Sequence, residues 1–343
     1  MHLRKFLPLL LLLNLIVHSS ALADTLKIYW VDVEGGAATL VITPAGESIL
    51  IDTGLPGDRD PGRINKLIRE EAGLSKIDHL VVTHFDRDHY GGAADLAKLI
   101  TIGTLYDQGV RPQDRERVGE AYMNFECEAR LVLTPGDELP LKQASTGPKL
   151  TAIVKGILQR NVQPNGLNKS NPLPAEGYYR KEPDLSHNAN SVIMLFEYGD
   201  FQFLDAADLS WNLEEKLVSP YNLIGEVDVY QVDHHGLDRS NNTHFIHSIK
   251  PTVAVMNNAH RKGTGPQTVA GLRSSPGIEA IYQVHKCTRD GEDHLNTDED
   301  KIANLKSGDD CDANHLFISV AESGKSYTVT VPRSGHVGTY GTK

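Results

Sequence analysis

The chain carries the run Thr83-His84-Phe85-Asp86-Arg87-Asp88-His89-Tyr90-Gly91-Gly92. Two histidines and two aspartates fall within six positions, directly after the apolar Leu80-Val81-Val82. Imidazole and carboxylate are donors that borderline metals such as zinc accept. Four of them this close together crowd a single ion, so the spacing points to two adjacent metals. An incidental acidic loop would need neither a buried strand before it nor a glycine pair after it.

Other histidines and aspartates follow apolar stretches in the same way. Asp52 ends Ile49-Leu50-Ile51, and His187 precedes the stretch from Val192 to Phe196. Asp208 follows the strand from Phe201 to Leu204, and His234 and His235 follow the stretch from Val227 to Val232. A single Asp or His at a strand end is usually a turn former. Repeated along one chain, these placements describe buried strands that each deliver a donor at the C-terminal end.

The elements that must position these groups can be read from periodicity. Leu26 to Val33, Ala38 to Thr43 and Ser48 to Asp52 predict three strands, separated by Gly35-Gly36 and Pro44-Ala45-Gly46. A helix is expected from Pro61, with Ile64, Leu67 and Ile68 at helical spacing. A second helix near Ala93 to Leu99 and a strand from Ile102 to Tyr106 follow the motif. Residues 107–190 read as one long irregular stretch rich in Pro, Gly and Asn, and loops of that length in compact domains are usually functional or disordered. Strands return at Ser191 to Glu197 and Phe201 to Asp205. Near the C-terminus, Ala280 to Val284, Leu316 to Val320 and Ser326 to Val331 predict strands around an acidic loop, Asp290 to Asp312.

Residues 1–23 have the form of a secretory leader: Arg4-Lys5, an apolar run from Phe6 to Val17, and Ala21-Leu22-Ala23. The run is shorter than the roughly 20 residues of a membrane span, and no later segment is apolar enough for one. Export to the periplasm or medium is therefore expected. Losing Arg4 and Lys5 would take the net charge from −11 to −13, since residues 1–23 contain no acid. Such a chain has no general attraction for polyanions, which argues against bulk nucleic acid as a partner and for a small-molecule substrate. In an oxidising compartment Cys287 and Cys311 could pair, leaving Cys127 alone. The expected division is a leader at 1–23, a catalytic domain at 24–275 and a C-terminal extension at 276–343 packed on the core.

The motifs resemble those of the metallo-β-lactamase fold hydrolases, and most of all the exported domains related to the DNA-uptake protein ComEC. Tyr29-Trp30-Val31-Asp32-Val33-Glu34-Gly35-Gly36 and Ile49-Leu50-Ile51-Asp52-Thr53-Gly54 resemble the opening strands. His84-x-Asp86-x-Asp88-His89 resembles the metal motif in its ComEC-like form, with Asp at the usual second histidine. His187, Asp208 and His234-His235-Gly236 fall where the family places its further metal ligands. The resemblance spans about Leu26 to Leu272 and implies an αββα sandwich with a β-rich C-terminal extension. Departures are Ala37 and Ala207, where the family has Gln-Gly-Asp and Thr-Gly-Asp elements, and Asn257-Asn258-Ala259-His260-Arg261-Lys262-Gly263, where a Tyr-Gly-His-Pro element is usual.

The resemblance implies two divalent ions, zinc first and manganese as the alternative. One would take His84, His187 and Asp86; the other Asp88, His89 and one histidine of His234/His235, with His235 favoured; Asp208 would bridge. His234 is then expected to face the substrate, and Asp86 or Asp88 to orient the nucleophile and help protonate the leaving group. A hydroxide between the metals would attack a phosphoric bond, expected to be a phosphodiester of a small or headgroup-like molecule. The alternatives are a carboxylic ester, lactone or amide hydrolase on the same site, or a binding protein that keeps the fold without turnover. Arg261 and Lys262 could meet an anionic substrate group.

Overall fold

The computed structural model describes residues 25–166, 168–173, 178–306 and 308–343, so the expected leader lies outside the described residues. Two mixed sheets face each other. The first runs, in spatial order, His336–Gly341, Ser326–Val331, Leu316–Val320, Lys27–Trp30, Thr39–Ile42, Ser48–Ile51, Lys76–Val81, Thr101–Asp107 and Ala129–Val132. The second runs Ile302–Asn304, Ala280–His285, Val253–Met256, Val229–Gln231, Phe201–Asp205, Ile193–Tyr198, Leu150–Ile157 and Arg160–Asn161.

The strands alternate because both faces of each sheet are covered. Ile28, Trp30, Ile49 and Ile51 point between the sheets, where they meet Met194, Phe196, Phe203 and Val229. Tyr29, Val31, Leu50 and Leu80 point outward and pack with Ile64, Leu67 and Ile68 of the helix Arg59–Glu70. On the far side Leu204, Tyr230 and Ala254 of the second sheet pack with Leu217, Ile246 and Val269. These last come from the helices Trp211–Val218, Thr243–Ile249 and Pro266–Arg273. Helix, sheet, sheet, helix: the layers form the αββα sandwich that the motifs imply.

Within each sheet, one block of strands is parallel. Ser48–Ile51, Lys76–Val81, Thr101–Asp107 and Ala129–Val132 form one block. Phe201–Asp205, Val229–Gln231, Val253–Met256, Ala280–His285 and Ile302–Asn304 form the other. Parallel strands put all their C-terminal ends on one side, which is how donors distant in sequence can reach one place.

Residues 107–190 are less irregular than expected. They contain the helix Arg115–Asn124, the strand Ala129–Val132 at the edge of the first sheet, and Leu150–Ile157, which pairs with Ile193–Tyr198. Leu150, Ala152, Val154 and Gly156 alternate with half-buried residues, a period-two signal that the surrounding Pro and Gly obscured. Residues 276–343 continue both sheets, with Trp30 opposite Leu316 in the first and Val253 opposite Ala280 in the second. Cys127, Cys287 and Cys311 are all free thiols, so the pairing expected of Cys287 and Cys311 is absent. The Cys311 thiol instead donates to Asp32 Oδ2 at 3.1 Å, and Cys287 is buried just past the strand Ala280–His285.

A polar tie crosses the sandwich. Gln231 Oε1 in the second sheet accepts from Trp30 Nε1 at 2.7 Å and Thr39 Oγ1 at 2.6 Å, neighbours across the first sheet. All three side chains are buried. Gln231→Leu keeps the volume but leaves two buried donors without an acceptor, at about 1–3 kcal/mol each. Urea unfolding should therefore show a loss of about 2–5 kcal/mol; a loss below about 1 kcal/mol would mean that the tie contributes little to stability.

Candidate metal centre

Asp52 organises the loop that follows the strand Lys76–Val81. Its Oδ1 accepts from Thr83 N at 2.8 Å, and its Oδ2 accepts from Thr83 Oγ1 at 2.7 Å and His89 Nδ1 at 2.7 Å. Both ends of the His84–His89 motif are thus held by one buried carboxylate. Thr53 adds a second anchor, since its N–H and its hydroxyl both donate to His89 O. Gly36 lets the first turn approach this loop: a Cβ there would lie 2.5 Å from Asp88 O.

The hydrogen bonds set the tautomers of three buried imidazoles. Because Thr83 Oγ1 donates to Asp52, it accepts from His84 Nδ1 at 3.0 Å. His89 Nδ1 donates to Asp52, and His235 Nδ1 donates to Asn257 O at 3.2 Å. Each ring therefore turns its Nε2 toward the centre, the atom through which it would bind a metal. His84 Nε2 is buried and has no hydrogen-bond partner, and His89 Nε2 lies 3.3 Å from His235 Nε2. Asp208 Oδ2 is 3.2 Å from Nε2 of His89, 3.4 Å from that of His235, 3.5 Å from that of His234 and 4.0 Å from that of His84. Two overlapping donor sets result, His84/His89/Asp208 and Asp88/His89/His235. They share His89, and Asp208 lies against both.

The electrostatics suit a cation. Burial depresses His84 well below its ordinary value, helped by the neighbouring His89. His89 is raised well above its ordinary value: burial opposes this, but Asp208 and Asp52 outweigh it. Asp208 and Asp88 are both held far below the carboxylate range against the cost of burial, Asp208 by the surrounding imidazoles and Asp88 by His235, His89 and Lys262. A potential that draws a proton onto a fully buried ring favours a divalent ion even more. The orphaned His84 Nε2, the facing Nε2 atoms of His89 and His235 and the clustered carboxylates are therefore a donor set that fits divalent metal.

Most of the motif residues read from sequence come together here. Asp86 Oδ2 is 3.8 Å from His84 Nε2, and its other oxygen is paired with Arg117, which also donates to Phe85 O at 2.6 Å. Asp88 Oδ2 is 3.5 Å from His235 Nε2 and is paired with Lys262, whose Nζ also donates to Gly35 O at 2.7 Å. His234 Nε2 lies 3.2 Å from Asn188 Nδ2, and its Nδ1 is 3.3 Å from Ser240 Oγ.

His187 is the exception. It is expected as a ligand, but its Nε2 is 3.7 Å from Asp114 Oδ1 and its ring lies over Phe85, away from both donor sets. The cause is local. His187–Asn190 is a 3₁₀ turn, with Ser186 capping Asn188 N, and successive side chains on such a turn diverge by about a third of a revolution. Asn188 takes the inward direction and His187 the outward one. Asn188 and Arg117 gave no sequence signal: neither sits in a donor cluster, and both lie in the stretch read as irregular. Lys262 did carry a signal, as part of a basic turn where the family has another element.

Sandwich and donor sets together define a metal-binding α/β hydrolase class, and the comparisons agree. Residues 31–125 match the Metallo-beta-lactamase superfamily. ComE operon protein 3 of Bacillus subtilis is 27% identical over 187 residues, 54% of this chain and 20% of that protein. UPF0173 metal-dependent hydrolase H16_A2129 of Cupriavidus necator is 31% identical over 133 residues, 38% of this chain and 41% of that protein. Recombination protein 2 of Haemophilus influenzae is 24% identical over 251 residues, 72% of this chain and 26% of that protein. The matched parts thus span well under half the length of these relatives. The chain is thus similar to metallo-β-lactamase-fold metallohydrolases of the ComEC-like type.

Two substitutions probe how the centre is built. Asp52→Asn puts an amide N–H against donors that now meet a carboxylate, so metal affinity should fall about 10–100-fold, read by competition with a chromophoric chelator. Ala207 has φ +54° between Asp205 and Asp208, a conformation that costs an L-residue about 1–2 kcal/mol. Ala207→Gly should therefore be neutral or stabilising by up to about 1 kcal/mol in thermal unfolding; a clear loss of stability would show that the methyl group's packing matters more than the backbone strain.

Proposed function

We propose that the protein is an exported hydrolase using two divalent ions, zinc first and manganese as the alternative, to cleave a phosphodiester in a small or headgroup-like molecule. The observation that carries this reading is the inward convergence of four imidazole Nε2 atoms on Asp208, with Asp86 and Asp88 flanking them. His84, Asp86 and Asp208 would hold one ion, and Asp88, His89 and His235 the other, with Asp208 shared. When bound, such ions polarise a phosphoryl oxygen and lower the pKa of water nearby.

The remaining residues orient the substrate and handle protons. Arg117 and Lys262 stand at the rim, half-exposed, one beside each motif aspartate. Two cations at the mouth of an otherwise acidic chain suit a compact anion better than a long polyanion, which would need a continuous basic groove. His234 is kept neutral chiefly by burial, although Asp208 opposes this. Asn188 Nδ2 donates to its Nε2 and its Nδ1 faces Ser240 Oγ, so the neutral ring turns a proton-accepting nitrogen toward the centre, suited to taking up a proton there. Export through residues 1–23 is part of the same reading, supported by the basic, apolar and small-residue segments in sequence.

Metal content measured together with hydrolysis of bis(p-nitrophenyl) phosphate tests it. The expected result is two ions per chain, turnover abolished by chelation, and a loss of at least about 100-fold in kcat/KM for His84→Ala. Two ions with turnover only of carboxylic esters would move the reaction to acyl transfer; a folded protein without metal would overturn the reading. Lys262→Ala should raise KM for the anionic diester about 3–10-fold while leaving that for a neutral ester nearly unchanged.

A further inference from the structure

A second polar cluster ties the two sheets together outside the centre described above. Asp32 follows the strand Lys27–Trp30 of the first sheet, and His285 ends the strand Ala280–His285 of the second. Cys311 lies on the connection from Ile302–Asn304 in the second sheet to Leu316–Val320 in the first. One ligand atom from each of the three falls within 4.8 Å of the others. His285 Nε2 is 2.6 Å from Asp32 Oδ1, with both side chains fully buried, and Cys311 Sγ is 3.1 Å from Asp32 Oδ2. His285 Nδ1 is also buried and has no partner.

We propose that Asp32, His285 and Cys311 form a separate metal site for a thiophilic divalent cation, zinc above all, which clips the two sheets together. Thiolate with imidazole and carboxylate is a donor set that zinc takes readily, whereas calcium and magnesium avoid it. The proton accounting is simple. The Cys311 S–H proton leaves as the sulfur–metal bond forms, so one proton is released per ion. The His285 ring proton moves from Nε2 to the unpartnered Nδ1, freeing the Nε2 lone pair. Burial and the facing Asp32 push the Cys311 thiol up to about 12, so it gives up its proton at neutral pH only to a cation. Arg63 Nη1 donates to Asp32 Oδ2 at 3.2 Å, but its other Nη donates to Glu34 at 3.3 Å. Its charge is therefore divided between two carboxylates and does not by itself balance Asp32 together with a thiolate.

The role is structural: Asp32 and His285 are buried and Cys311 half-buried, and the cluster joins both sheets and holds the turn that supports the main centre. Asp32 Oδ1 accepts from Glu34 N at 2.9 Å, at the start of the Gly35-Gly36 turn. Gly35 O accepts from Lys262, and Ala37 N donates to Asp88 O at 3.0 Å. Losing the clip should loosen this turn without removing a donor from the His84–His89 motif.

Cobalt(II) loading distinguishes this site from the main one. The main centre offers only nitrogen and oxygen donors, so a thiolate-to-cobalt charge-transfer band in the near ultraviolet can come only from a cysteine. The purified protein titrated with cobalt should develop that band with one proton released per thiolate bound. Cys311→Ser should abolish it, and His285→Gln should weaken it. Cys127→Ser and Cys287→Ser should leave it intact. Cys311→Ser keeps a hydroxyl that can donate to Asp32, and its circular dichroism and visible ligand-field bands from the main centre report that it is folded. No band at cobalt saturation, or a band that survives Cys311→Ser, would overturn the proposal. Failure of the hydrolase reading would show separately, as absent ligand-field bands or absent turnover with the charge-transfer band unchanged.

Discussion

The Asp52 carboxylate is the interaction on which the centre depends. It lies at the end of Ser48–Ile51, beside the parallel strand Lys76–Val81, and its backbone N–H donates to Val81 O at 2.8 Å. From there its two oxygens reach Thr83 and His89, the start and finish of the metal motif. Asp52 itself has φ +62°, a left-handed conformation that Asp tolerates better than most residues. That turn brings the side chain back over the neighbouring strand end. An apolar residue here would leave His89 free to rotate and Thr83 without an acceptor. Thr83 could then no longer orient His84. One carboxylate thus sets the facing of two rings.

Left-handed backbone recurs around the centre. Ala207, His234 and His235 all have positive φ, and the two histidines are consecutive. Each such residue costs about 1–3 kcal/mol, which the surrounding structure must offset. Beneath the His-His turn, Asn241 Nδ2 donates to Asp233 O at 2.8 Å, and Glu214 accepts from the backbone N–H groups of Asn241 and Asn242. Burial raises both Glu214, to about 7, and Asp233; the nearby Glu214 carboxylate pushes Asp233 further up, so the pair retains a proton. A rigid polar base of this kind lets the chain present adjacent histidines in different directions, His235 toward Asp88 and His89, and His234 toward Asn188.

Much of this was legible in the residues. Alternation gave most of the strands of the opening meander and the C-terminal hairpin. Donors at strand ends marked Asp52, His84, Asp208 and the two histidines, because a polar residue after a buried strand is visible in one dimension. What sequence could not give was rotation about the local axis. His187 and Asn188 are adjacent, equally polar and equally placed after Ser186; only the pitch of a 3₁₀ turn decides which faces inward. The long stretch before them hid Leu150–Ile157 for a different reason. Its alternation is short and flanked by turn formers, and pairing with Ile193–Tyr198 stabilises it as strand.

In the proposed reading, the rim cations would connect the acidic chain to an anionic substrate. At a net charge of −11 the protein's far field repels anions, but at physiological salt that field decays within about 8 Å. Close to the centre, local charge decides, and there Arg117 and Lys262 stand beside Asp86 and Asp88. With metal bound, both aspartates would have two claims on them, a cation inside the site and a side chain at its edge. A carboxylate that shares its charge with a divalent ion holds an ammonium less tightly. Lys262 is then freer to turn toward a bound anion while Gly35 O retains part of its hold. Arg117 is less easily released, because its Nε donates to Phe85 O independently of Asp86. The two rim cations therefore differ in kind: Arg117 steadies the motif loop, and Lys262 would be the one whose position metal loading changes.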